Sequence, residues 1–215
     1  MADTNHIKSW GSIINLVELN RVLKQLTKLD NIAPSPKNIF RAFKLCDYNN
    51  LKCIILGMDP YPQKGVATGL AFANYADKEI SPSLNVIKKS LISSTNDFYE
   101  FDQTLESWAD QGVLLLNSAL TVELNKPGSH TMLWRNFIIE VLKNLSLYSP
   151  GLVYILFGNT AASFSSYINN NNYILKEAHP AYYARYNLPM ESTVFDQANK
   201  IIYSTNGEKI QWLRQ

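Results

Sequence analysis

Three short apolar runs constrain this chain most. Cys53-Ile54-Ile55-Leu56-Gly57, Val113-Leu114-Leu115-Leu116 and Val153-Tyr154-Ile155-Leu156-Phe157-Gly158 are continuous and brief, and two of them end in glycine. Runs of that shape read as strands buried on both faces. Tyr173-Ile174-Leu175 is a weaker fourth. Helical patterns lie around and between them. Leu16, Leu19, Val22, Leu23, Leu26 and Leu29 form one apolar face over Asn15 to Leu29. Further helices are expected at Lys37 to Leu45, Leu84 to Ile92, Leu105 to Asp110, Trp134 to Leu147, Thr160 to Ile168 and Phe195 to Tyr203. Strands alternating with helices predict an α/β fold: a three-layer αβα sandwich around a short four-stranded, mostly parallel central sheet.

The 215 residues are 46% hydrophobic and 18% charged, enough for one sizeable core in a single domain spanning 1–215. The formal net charge of +2 is only mildly basic, so the balance permits DNA binding without arguing for it. Any phosphate contact must come from a local patch or from backbone amides. Cys46 and Cys53 make no metal-ligand spacing with His6, His130 or His179, and read as buried reduced thiols. Met1 to Trp10 is polar and lacks the apolar stretch of a secretion signal, and no run approaches the ~20 residues of a membrane span. A soluble protein of the cytoplasm or nucleus is expected. The asparagine run Asn169 to Asn172 reads as a surface turn.

In parallel sheets ligands bind beyond the carboxyl ends of the strands. The residues there are Met58-Asp59-Pro60-Tyr61-Pro62, Asn117-Ser118, Asn159-Thr160 and Ala178-His179-Pro180. Each has an ordinary structural reading. Asp59 and Asn117 suit caps or turns, and His179 precedes a proline that restricts its backbone. Together they place a carboxylate, a tyrosine, an amide and a histidine at one edge, which is a reasonable active site. There is no GxGxxG, no P-loop and no serine nucleophile elbow. The residues alone lead to an α/β protein with an Asp–Asn–His site.

A resemblance takes the reading further. Gly57-Met58-Asp59-Pro60-Tyr61-Pro62 resembles the water-activating motif of the uracil-DNA glycosylase family. Gly69-Leu70-Ala71-Phe72-Ala73 is similar to its uracil-stacking segment, and Ser81-Pro82-Ser83-Leu84 to a DNA-compressing loop. Trp108 to Asn117 is similar to the segment carrying the uracil-reading asparagine, and Ser129-His130 matches another signature. His179-Pro180 opens what resembles the catalytic-histidine and intercalation loop. The segments occur in family order from about Pro34 to Trp212.

The resemblance implies base flipping and hydrolysis of the uracil–deoxyribose bond, without metal or cofactor. It implies that Asp59 orients water and that His179 donates to uracil O2. Asn117 would read the uracil edge, Phe72 would stack on the base, and Tyr61 would exclude a methyl at C5. Met58 would act mainly through its backbone. Pro34, Ser83, Gly158, Asn159, Tyr183 and Arg185 would face DNA. A monomer is expected, acting on uracil-containing DNA and a possible target of DNA-mimicking inhibitor proteins.

Four positions depart from the family pattern. Met58 replaces a usual glutamine, Pro62 a histidine, Asn159 a serine, and Tyr183 the leucine that enters the duplex. The leucine is what such inhibitors enclose, so Tyr183 is expected to weaken them. The altered loops also motivate a competing reading: a catalytically weak relative serving as a DNA-binding scaffold or polymerase accessory. The retained Asp59, Asn117 and His179 oppose it.

Overall fold

The computed structural model describes residues 8–93 and 99–214; residues 1–7, including His6, lie outside the described residues. Among the described residues the strands are, in chain order, β1 (Ile32–Ala33), β2 (Cys53–Gly57), β3 (Val113–Asn117), β4 (Val122–Glu123), β5 (Val153–Phe157) and β6 (Tyr173–Glu177). The α-helices are α1 (Leu16–Leu26), α2 (Arg41–Leu45), α3 (Pro82–Ser93), α4 (Glu106–Asp110), α5 (Thr131–Tyr148), α6 (Gly158–Ala162), α7 (Pro180–Tyr186) and α8 (Val194–Asn206).

The central sheet has the order β3-β2-β5-β6, and every pair in it is parallel. Helices flank it, as expected of a parallel sheet. All five residues of β2, β3 and β5 are buried, which is why these strands read as unbroken apolar runs. β6 is an edge strand of mixed exposure, and its sequence signal is correspondingly weak. β3 lies at the other margin yet is buried. The segment after Gly69 covers it, with Ala71 N–H donating to Leu115 O at 3.0 Å.

Register brings the strand ends level. Gly57 pairs with Asn117, and Phe157 with Glu177. The segments that follow β2, β3, β5 and β6 therefore emerge at one edge.

Several expected boundaries change. The helix expected over Lys37 to Leu45 is a 3-10 turn, Pro36–Asn38, followed by α2. The one expected over Thr160 to Ile168 is α6 and a 3-10 turn, Ser165–Tyr167. α1 stops at Leu26, three residues short of the apolar pattern. The segment read as an intercalation loop is helix α7, with Pro180 at its first position and His179 as its N-cap. Asn172 in the asparagine run is buried, and its amide donates to Ser146 O at 3.0 Å. β1 and β4 pair antiparallel, and the apolar pattern carries no signal for either. Cys46 and Cys53 are buried free thiols, and burial pushes both well above the usual thiol range. Among the described residues no helix is long and apolar enough to cross a membrane.

Candidate active site

One pocket opens at the level strand ends. Its walls include Met58, Asp59, Tyr61, Phe72, Ser83, Asn117 and His179, with Pro60, Ala67, Gly69 and Leu70 completing them. The edge chosen from the strand pattern thus gathers its carboxylate, tyrosine, amide and histidine in one cavity.

Asp59 leaves β2 by two residues. Its Oδ2 accepts from Gly128 N–H at 2.5 Å. Burial raises its pKa, and the Gly128 hydrogen bond works against that rise. Gly128 belongs to the loop between β4 and α5. That loop is anchored by Thr121, whose hydroxyl accepts from the Trp134 indole at 2.7 Å and lies 2.9 Å from His130 Nδ1. His130 is therefore part of the scaffold behind the carboxylate.

His179 caps α7. Its Nδ1 accepts from Ala181 N–H at 3.1 Å. A ring nitrogen that accepts carries no proton, so the neutral ring bears its hydrogen on Nε2. Burial lowers the His179 pKa, which favours that neutral form. Gly158 stands behind the ring. It has φ +82°, and a Cβ there would come 2.9 Å from His179 Cβ. The turn after β5 needs glycine for both reasons.

Asn117 ends β3 and is buried. Phe72 holds the left-handed conformation, φ +66°, a strained state common at functional sites. Its ring meets Phe157 edge-on at 5.3 Å and His179 at 5.5 Å. Tyr61 is pinned by its hydroxyl, which donates to Phe72 O at 2.9 Å and lies 2.6 Å from Ser81 Oγ. Burial pushes its pKa up to about 12, so it is a neutral wall. The Met58 carbonyl accepts from Ser118 Oγ at 2.7 Å and from Ala119 N–H at 3.0 Å.

Of the remaining expected residues, all but Pro34 lie on elements that adjoin this pocket. Ser83 is in the first turn of α3 and lines it. Asn159 is exposed at the start of α6, and Arg185 is exposed on α7. Pro34 lies elsewhere, in a broader groove between α1 and β1. Tyr183 is half-buried, and its hydroxyl donates to Glu177 Oε1 at 2.7 Å. The Pro62 carbonyl accepts from Asn125 N–H at 3.0 Å.

Comparison with known proteins now decides the family. Residues 43–202 match the model of the Uracil DNA glycosylase superfamily. The chain belongs to that superfamily. Within the uracil-DNA glycosylase family, it is 38% identical to the uracil-DNA glycosylase of Buchnera aphidicola subsp. Acyrthosiphon pisum, over 96% of this chain and 98% of that one. It is 35% identical to uracil-DNA glycosylase 1 of Listeria innocua, over 96% and 97%. The fold matches the crystal structure of mimivirus uracil-DNA glycosylase with a TM-score of 0.81 and 24% identity, covering 95% of this chain and 86% of that one. A variant of the mimivirus protein solved in complex with UGI matches with a TM-score of 0.83.

The family motifs led to most of the pocket but not to Gly128 or Ser118. Gly128 works through its amide, which no side-chain motif records. The Pro127-Gly128 pair is nevertheless a turn signal that could have pointed to it.

Proposed function

We infer that this chain is a DNA repair enzyme that hydrolyses the N-glycosidic bond between uracil and deoxyribose, leaving an abasic site. One observation carries the assignment of roles: Asp59, Tyr61, Phe72, Asn117 and His179 line a single pocket.

Breaking the bond leaves positive charge on the sugar and negative charge on the departing base. Asp59 serves the first. Its Oδ2 is held by Gly128, so the carboxylate is fixed in orientation. It directs the attacking water and stabilises the cationic sugar. His179 serves the second, with Nε2–H donating to uracil O2 as charge develops there. A neutral donor suffices, because no full proton transfer is required.

Asn117 offers an acceptor to N3–H and a donor to O4. Cytosine presents the reverse pattern and would leave buried polar groups unpaired. Phe72 stacks on the flipped base. Tyr61, held at its hydroxyl, stands against C5 and leaves no room for the thymine methyl. Ser83, Gly158, Asn159 and Arg185 contact the phosphates, Tyr183 faces DNA from the same helix as Arg185, and Pro34 meets DNA from the separate groove between α1 and β1. The enzyme works as a monomer in the cytoplasm, and DNA-mimicking inhibitor proteins compete for this surface.

The test is release of free uracil from a single-stranded oligonucleotide carrying one deoxyuridine, with EDTA present. Wild-type protein should release uracil, and Asp59→Asn should nearly abolish release. Folded protein that binds the oligonucleotide without releasing uracil would favour the scaffold reading.

A further inference from the structure

α7 carries three tyrosines with different jobs. Tyr183 packs against the core and gives its hydroxyl to Glu177. Tyr182 and Tyr186 do neither. They are 51% and 59% exposed, and four residues apart they share one side of the helix. Their ring centroids are 5.0 Å apart at 55°. Tyr182 is braced edge-on by Tyr183 at 5.5 Å and 83°. Two large rings are thus held in the open by a third that is fixed.

We infer that Tyr182 and Tyr186 form a stacking platform for the bases of single-stranded DNA flanking the uracil, continuous with the catalytic pocket. This inference rests on the uracil-excision reading of that pocket. Three observations support it. The helix that presents the rings is capped by His179 itself, so a strand leaving the pocket meets them within about two helical turns. Arg185, exposed between them in the chain, supplies a cation for the backbone. Base–aromatic stacking is sequence-tolerant, as a repair enzyme scanning arbitrary flanks requires.

The ring geometry selects the strand state. Bases of one duplex strand are parallel and about 3.4 Å apart along the axis. Rings 5.0 Å apart at 55° cannot both stack on such an array. A single strand can spread and tilt its bases to fit them.

The experiment compares kcat and KM on single-stranded substrates of increasing length, from one nucleotide on each side of the deoxyuridine to about fifteen in total. Wild-type KM should fall as the strand lengthens. In Tyr182→Ala/Tyr186→Ala that gain should shrink by about tenfold per ring, the scale of one stacked base, with kcat little changed. Tyr182→Phe/Tyr186→Phe should restore it, since the ring is what stacks. A long substrate with base-free linkers in the flanks should behave like a short one toward wild type. Equal loss on all lengths, or tight wild-type binding of the base-free flank, would overturn the platform. So would an unchanged length dependence accompanied by lost inhibition by UGI, which would give the rings to a protein. Failure of wild type to release uracil from any substrate would instead sink the underlying function.

Discussion

A β-carbon on Gly57 would stand 2.5 Å from Asn117 Oδ1 and 3.2 Å from the Phe72 ring. The two residues are register partners at the ends of β2 and β3. The absent side chain of one makes the space that the amide of the other occupies. Gly57→Ala is expected to displace the amide and lower kcat/KM about 10²-fold, the cost of a misplacement of about 1 Å at a reacting centre. Inhibition by free uracil should weaken in parallel. A variant with full kcat/KM and unchanged uracil inhibition would remove Asn117 from the role of reading group.

Asp59→Asn should separate activity from stability. Turnover should drop by about 10²–10⁴-fold. The melting temperature should rise. Burial raises the Asp59 pKa in the fold, so above that value the ionised carboxylate is a net cost to the native state. The amide removes the charge while its oxygen still accepts from Gly128. A melting temperature below wild type would show that the carboxylate supports the fold.

His179→Ala should lower kcat/KM about 10²–10³-fold, as for loss of one donor to a developing oxyanion. It should also flatten the acid side of the stability curve. The folded-state pKa of His179 is depressed by burial, as is that of His130. Between the depressed value and the ordinary value of about 6.5, the unfolded chain binds the extra proton, so wild-type stability falls as pH falls. Denaturant titrations from pH 7 downward would measure the slope. The variant should lose the share due to His179 and keep that due to His130.

Tyr61→Ala should let the enzyme release thymine from DNA, because it removes the pocket-lining ring proposed to stand against C5. Tyr61→Phe should stay uracil-specific, since it keeps the ring while losing the contacts to Phe72 O and Ser81. Mass spectrometry of released bases reads both outcomes. An alanine variant that remains wholly uracil-specific would place the methyl-excluding wall elsewhere.

Tyr183→Leu should strengthen inhibition by UGI, by about tenfold or more, because the bulkier tyrosine is tied to Glu177 and a leucine has no such bond. The inhibition constant measured beside wild type decides this. Equal inhibition would show that position 183 does not govern the complex.

The legible parts of the sequence were those where burial and chain pattern agree. β2, β3 and β5 are buried on both faces, so their runs could be read directly. β1 and β4 have two residues each and pair across about ninety positions, which leaves no periodicity to detect. α7 was hidden because the segment after His179 reads, by resemblance, as a family loop, with Pro180 only a restriction on the histidine's backbone. At the first position of a helix that proline is a start, and His179 supplies the cap. The side chains of the site were found from their place at strand ends and from family motifs. The contacts that support them were not, because the Gly128 amide and the Ser118 hydroxyl, although Ser118 stands at a strand end, act across 69 and 60 positions through bonds that only the fold creates.

The carbonyl of Met58 is claimed by Ser118 and Ala119, so the shape of the loop is held by what surrounds residue 58 rather than by its side chain. An adaptable thioether can stand there in place of an amide without reshaping the turn. The backbone of residue 58 keeps both bonds whichever side chain it carries, while the thioether itself reaches toward Gly128. What fastens this loop to the sheet is instead the hydroxyl of Ser118, the residue that follows β3, so a change there would loosen the turn that carries Asp59.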